Sequence, residues 1–185
     1  SEVAKRFEER NPGVRVDVQM GGSSRGVADA REGLSDIGMV SRALKPEESN
    51  LEAHAVARDG ICMILHQSNP VASLTDEQVI SIYTGRVTTW KEVGGPDTPI
   101  VVVNKAEGRS TLELFLHHFK LKNSEVKAQV VIGDNPQGIK TVEGNPASIG
   151  YVSTGAAEVA IQQGSQLKLL PMSGVTASTQ SLQSG

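Results

Sequence analysis

Two short loops carry the residue types that bind an oxyanion, Gly21-Gly22-Ser23-Ser24-Arg25-Gly26 and Glu107-Gly108-Arg109-Ser110-Thr111. Each falls between an apolar run of strand character and a helical pattern, and Ser41-Arg42 closes a third such run. A helix N-terminus presents unpaired N–H groups and a partial positive charge. Glycine lets a ligand approach the backbone, and serine or threonine hydroxyls rotate to add donors.

The same residues have an ordinary use. Ser23 or Ser24 can cap a helix, and Ser110 with Glu113 has the form of a capping box. Two features favour the anion reading: both loops lie at strand C-terminal ends, where open α/β sheets bind ligands, and the expected crossing between lobes separates them. One loop alone is too weak. Micromolar binding needs about −8 kcal/mol, a helix terminus supplies roughly 0.3–1 kcal/mol, and a charge-assisted hydrogen bond supplies about 1.5–3 kcal/mol. Several donors must therefore converge from both loops.

Other chemistries find no support in the residue pattern. No Gly-Lys-Ser/Thr follows Gly26, so there is no phosphate loop of the nucleotide type, and the dinucleotide fingerprint is incomplete. No Gly-x-Ser-x-Gly elbow occurs. His117 and His118 are adjacent and point about 100° apart on a helix, so they make no i, i+4 metal pair; His54 and His66 stand alone. Cys62, the single cysteine, sits in Ile61-Cys62-Met63-Ile64-Leu65 and reads as a buried thiol. The expectation is a binding protein with no catalytic constellation, no metal and no cofactor.

Apolar spacing then gives the elements that must position these loops. Val3, Ala4 and Phe7 mark a helix ending at Asn11-Pro12-Gly13, and Val14 to Met20 alternates with the period of a half-buried strand. A helix is expected over Val27 to Leu34, followed by short strands at Asp36–Val40 and Gly60–His66. The pattern breaks at Ser68-Asn69-Pro70, taken as a crossing between lobes. Thr75 to Gln78 has capping-box form for a helix reaching Tyr83, and Ile100 to Val103 reads as a central parallel strand. A helix over Thr111–Phe119, a strand over Ser148–Ser153, a helix over Ala156–Gln163 and a strand over Leu167–Leu170 complete an α/β pattern. The expected organisation is a first lobe of residues 1–67 with 156–185 and a second of residues 68–155.

The chain has 185 residues, with 18 Lys plus Arg against 21 Asp plus Glu for a net charge of −3, a balance unlike that of a nucleic-acid binder. Aromatics at 3% are too few for base- or sugar-stacking platforms. No apolar run approaches the ~20 residues that span a bilayer. The chain opens on what reads as a helix already under way, so a preceding segment is expected.

Taken in order, Gly21 to Gly26, Ser35 to Arg42, Leu74 to Gln78 with Ile82 to Gly85, Trp90 to Gly95, Val103 to Thr111, and Ile149 to Val152 resemble the solute-binding proteins of phosphate ABC transporters. The resemblance covers nearly the whole chain and implies a two-lobed type II periplasmic-binding-protein-like α/β fold closing on inorganic phosphate or a similar oxyanion. It places Gly22, Ser23 and Ser24 in the site and puts Ser41, with Arg42 beside it, at a position that is acidic or serine in the family. Lys105, Glu107, Gly108, Arg109, Ser110 and Thr111 fall on its Arg-x-x-Gly-Ser-Gly-Thr loop, with Lys105 as the charged clamp. The resemblance also implies an ABC permease as partner, no nucleic acid, and a periplasmic or extracellular location with a lipid anchor in the full-length protein. Three departures stand out. The family's first strand and its loop, expected before residue 1, are absent; Arg109 replaces a small residue; and Ser41 lacks a carboxylate. A sensory oxyanion-binding module and, behind it, a phosphate-ester enzyme are the rival readings.

Overall fold

Ile61-Cys62-Met63-Ile64-Leu65 is apolar at successive positions, so as a strand it must be covered on both faces. In the computed structural model, which describes residues 1–183, it forms β1 (Ile61–His66) inside a five-stranded sheet. The others are β2 (Val101–Lys105), β3 (Val130–Ile132), β4 (Ser148–Ser153) and β5 (Leu167–Leu170), in the order β3-β2-β4-β1-β5. β2 runs parallel to β3 and β4, whereas β1 is antiparallel to both β4 and β5, with Met63 opposite Tyr151 on one side and Leu170 on the other.

Alternate residues of the strands feed two cores. Met63, Leu65, Ile149 and Tyr151 face α3 (Asp76–Tyr83) and α4 (Ser110–Phe119), joining Tyr83, Trp90, Phe115 and Phe119. Cys62, Ile64, Val103 and Val152 face α5 (Asn135–Glu143) and α6 (Thr154–Gln162), joining Val142 and Ala157. Phe115 stacks on Tyr151 at 4.2 Å and tilts against Tyr83 at 4.6 Å, so the few aromatics are concentrated in one core. Burial pushes the Cys62 thiol up to about 12, which fits the expected inert role. The capping box of Thr75 and Gln78 forms as expected.

Residues 1–59 are built differently. They hold α1 (Glu2–Arg10), α2 (Ser23–Arg31) and a 3-10 turn at Pro46–Glu48. The strands expected at Val14–Met20 and Asp36–Val40 are not formed. Both stretches lack a ladder partner, and a strand exists only by pairing its N–H and C=O groups with a neighbour. Met20 is 81% exposed and Ile37 82%, and no residue before 61 enters either core. The helix expected from Val27 begins four residues earlier, at Ser23. Missed altogether were β3 and α5, with the short α7 (Thr179–Gln183).

β1 and β5, assigned by sequence to the first lobe, are hydrogen-bonded within the same sheet as β4, assigned to the second. The last two residues of the first-lobe range, Ser184 and Gly185, lie outside the described residues. No described helix is long and apolar enough to cross a membrane.

Candidate functional site

Among the described residues, side-chain N-caps include Ser1 on α1, Thr75 on α3, Asp134 on α5 and Ser153 on α6. α2 and α4 have none. Their N-caps are Gly22 and Arg109, and neither makes a side-chain cap hydrogen bond. Ser23 with Ser24, and Ser110 with Thr111, are therefore the first two helical residues rather than caps. The capping box expected between Ser110 and Glu113 is not formed either, because Glu113 reaches elsewhere.

The two uncapped ends meet. The Ser24 N–H donates to the Gly108 carbonyl at 3.5 Å, and a Cβ on Gly22 would stand 2.8 Å from that oxygen and 3.2 Å from Arg109 Cδ. Gly22 also has φ 149°, so its lack of a side chain is required twice over. Ser23 is buried, and its Oγ accepts the Ser41 N–H at 3.1 Å, drawing the third predicted segment to the same place. A hydroxyl that accepts keeps its own hydrogen to donate.

Lys105 ends β2 and is 2% exposed. Its Nζ donates to Asn135 Oδ1 at 2.9 Å, the one hydrogen-bond acceptor this three-donor ammonium finds among the described residues. Burial lowers its pKa to about 8; Asp134 opposes that shift, and the Arg109 charge adds to it. A Cβ on Gly138 would lie 3.7 Å from Nζ, and one on Gly133 would lie 3.5 Å from Arg109 Nη2, so the start of α5 leaves room for both cations. The strand end is held firmly: Tyr151 Oη donates to Asn104 Oδ1 at 2.6 Å and accepts the Lys105 N–H.

Two predicted residues are engaged elsewhere. Arg42 turns its fork onto Glu48, with Nη1 and Nη2 donating at 2.8 and 2.9 Å. Its Nε stands 2.8 Å from Glu113 Oε2, an ion pair without the alignment of a hydrogen bond. The Glu48 hydrogen bonds raise the Arg42 pKa further, and Arg42 in turn holds the Glu48 carboxyl down at about 2. Glu107 Oε1 accepts from Asn123 Nδ2 at 2.9 Å, away from the two helix ends.

Sequence reasoning missed Asn135, Asp134, Glu48 and the direction of Glu113. Asp134-Asn135-Pro136-Gln137 carried a signal for α5, a capping residue with proline in the first turn. A groove of about 340 Å³ lined by Ser68, Asn69, Pro70 and Pro146 opens at the opposite end of β2 and β4 and includes none of these residues.

A mixed α/β sheet that gathers two uncapped helix N-termini and a buried lysine at one strand end is the layout of an anion-binding α/β protein. The sequence matches the PBP superfamily domain over residues 1–184, and the chain belongs to that family. Its fold is type II periplasmic-binding-protein-like, as expected from the sequence. The phosphate-binding protein PstS of Bacillus subtilis is 30% identical over 157 residues, 82% of this chain and 51% of that protein. PstS 2 of Streptococcus pneumoniae is 35% identical over 92 residues, 49% of this chain and 32% of that protein. The chain thus spans a third to a half of the length of these curated relatives. A Clostridium perfringens crystal structure, described as a phosphate ABC transporter substrate-binding protein with bound phosphate, superimposes with a TM-score of 0.88 at 35% identity, covering 98% of this chain and 73% of that one. An ABC-type phosphate transport receptor from Vibrio cholerae follows with a TM-score of 0.71 at 30% identity, covering 94% and 71%.

Proposed function

We propose that this chain binds inorganic phosphate at the junction of α2, α4 and Lys105, and that it serves as the receptor of an ABC-type phosphate importer outside the cytoplasm. The observation that carries the reading is Lys105: a buried ammonium with a single neutral acceptor, placed beside two helix ends that lack side-chain caps. Burying such a cation is costly unless an anion arrives to pair with it. The names of the Bacillus, Clostridium and Vibrio proteins support phosphate as that anion.

In this reading the first-turn N–H groups of α2 and α4 and the hydroxyls of Ser23, Ser110 and Thr111 surround the oxyanion, while Ser24 borders it with its hydroxyl turned to Glu113. Lys105 supplies the balancing charge and Arg109 borders the entrance. Gly22 and Gly108 let backbone approach where a side chain would intrude, and Ser41 fixes Ser23 through its N–H. Arg42 and Glu107 act at one remove, holding Glu48 and Asn123. Three or four charge-assisted bonds at about 1.5–3 kcal/mol each total roughly 4.5–12 kcal/mol, a range that spans the roughly 8 kcal/mol that micromolar affinity needs before the cost of association. No bond of the ligand is made or broken; binding changes only the distribution between open and closed arrangements of residues 1–59 over the sheet.

Isothermal titration calorimetry with phosphate, and with sulfate and molybdate in parallel, tests this. Micromolar or tighter binding of phosphate is expected; absence of heat with every anion overturns the reading for this chain.

A further inference from the structure

Every hydrogen bond and ion pair described between residues 1–58 and the sheet-bearing remainder ends on one of two residues. The Gly108 carbonyl takes the Ser24 N–H, and all the others end on Glu113. Its Oε1 accepts from Ser24 Oγ at 3.3 Å, and its Oε2 lies 2.8 Å from Arg42 Nε and 3.8 Å from Lys45 Nζ. The carboxylate is thus shared by the first turn of α2 and the segment that follows Ser41. Neither core extends into this junction, since neither includes a residue before 61. The Arg42 and Glu48 side chains are 7% and 8% exposed, that of Glu113 is 29% exposed and that of Lys45 45%, so the Arg42 end of the cluster is shielded from solvent and Lys45 lies at its rim.

From this we infer that Glu113 is a positioning residue. Its carboxylate docks residues 22–48 onto α4 and fixes the gap between the two uncapped helix ends. The inference rests on the phosphate reading only for its consequence, that the gap is where the anion sits. The docking itself follows from the contacts. Glu113 lies on α4 one turn beyond Arg109, close enough to hold Ser24 and far enough along the helix to leave the N–H groups of Ser110 and Thr111 open. It also explains why the capping box legible in the sequence is not made: the side chain that would close it spans to the other part of the chain.

Hydrogen exchange followed by mass spectrometry, on ligand-free wild type, Glu113→Ala and Glu113→Gln, tests the docking. Expected is faster exchange across residues 22–48 in Glu113→Ala and a smaller rise in Glu113→Gln, which keeps an acceptor for Ser24 but loses the charge. β1, β2 and β4 should stay as protected as in wild type. Unchanged exchange over 22–48 overturns the inference, and so does an equal rise in the three strands, which would make Glu113 a residue of general stability. In the same variants, phosphate affinity should fall about tenfold for Glu113→Ala, with the added exchange suppressed at saturating phosphate; unaltered affinity overturns the positioning role. If wild type binds no phosphate, the functional reading fails while the ligand-free exchange comparison still decides the docking.

Discussion

Met63 and Val16 both lie in stretches that look like strand in the sequence, yet Met63 has Tyr151 across one edge and Leu170 across the other, and Val16 has no strand on either side. Residues 61–172 are held by two cores and a continuous ladder, whereas the polar contacts described between residues 1–58 and them end on Glu113 and Gly108. The difference teaches that alternation describes what a strand could bury, while a strand itself is a property of a pair. In the proposed phosphate site the sheet supplies the rigid side, with Lys105 and the α4 N-terminus, and the part outside the cores supplies Ser23 and Ser24.

The comparison breaks most severely at its rigid end. Phe115→Ala empties a fully buried position between Tyr83 and Tyr151 and should lower unfolding free energy by about 3–5 kcal/mol in a urea titration. Lys105→Ala should cut phosphate affinity by roughly 10- to 100-fold, the loss of one charge-assisted contact. It should leave the urea midpoint close to wild type, because the lost ammonium is buried without a carboxylate partner. Gly22→Ala puts a Cβ 2.8 Å from a fixed carbonyl at φ 149°, and should loosen the Ser24–Gly108 contact and weaken phosphate binding with little change in sheet stability, read by calorimetry and circular dichroism.

Titration separates the two regions by pH. Lys105 has a folded-state pKa of about 8, below its usual value near 10.4. Between those values the unfolded chain binds the extra proton, so stability rises with pH there while phosphate affinity falls as the ammonium is lost. Glu48 runs the other way: its carboxyl is held at about 2, so its contribution is complete above the ordinary carboxylate range and is lost as pH falls from about 4.3 toward 2. Denaturant midpoints and phosphate titrations across pH 2–10.5 read both effects. The smallest change is expected from Val16→Ser, within about 0.5 kcal/mol in the same urea assay, because Val16 packs in neither core.

The elements of the sheet were legible where sequence pattern and burial coincide. Ile61–Leu65, Ile100–Val103 and Ser148–Ser153 carry enough apolar residues to demand cover on both faces, and Thr75 and Gln78 announce their helix by local hydrogen bonding. β3 escaped because three residues are too few to show a period, and Val14–Met20 misled because its partner is a matter of tertiary neighbourhood. At the proposed site, the two loops stood out by residue type and by their place between a strand pattern and a helix pattern. The direction of a side chain did not: Glu113 as a cap and Glu113 as a bridge look identical in sequence, as do Arg42 facing an anion and Arg42 facing Glu48.

The antiparallel placement of β1 sets an order of assembly. Ile61 pairs with Ser153 and His66 with Leu167, so β1 waits for residues roughly ninety to one hundred positions further along the chain. In a polypeptide emerging N-terminus first, Cys62 to Leu65 stays an apolar segment with both edges open until β4 has been made. Premature termination anywhere before residue 148 therefore leaves the sheet without its centre, and the exposed run becomes the point at which nascent chains stick to one another or to a chaperone.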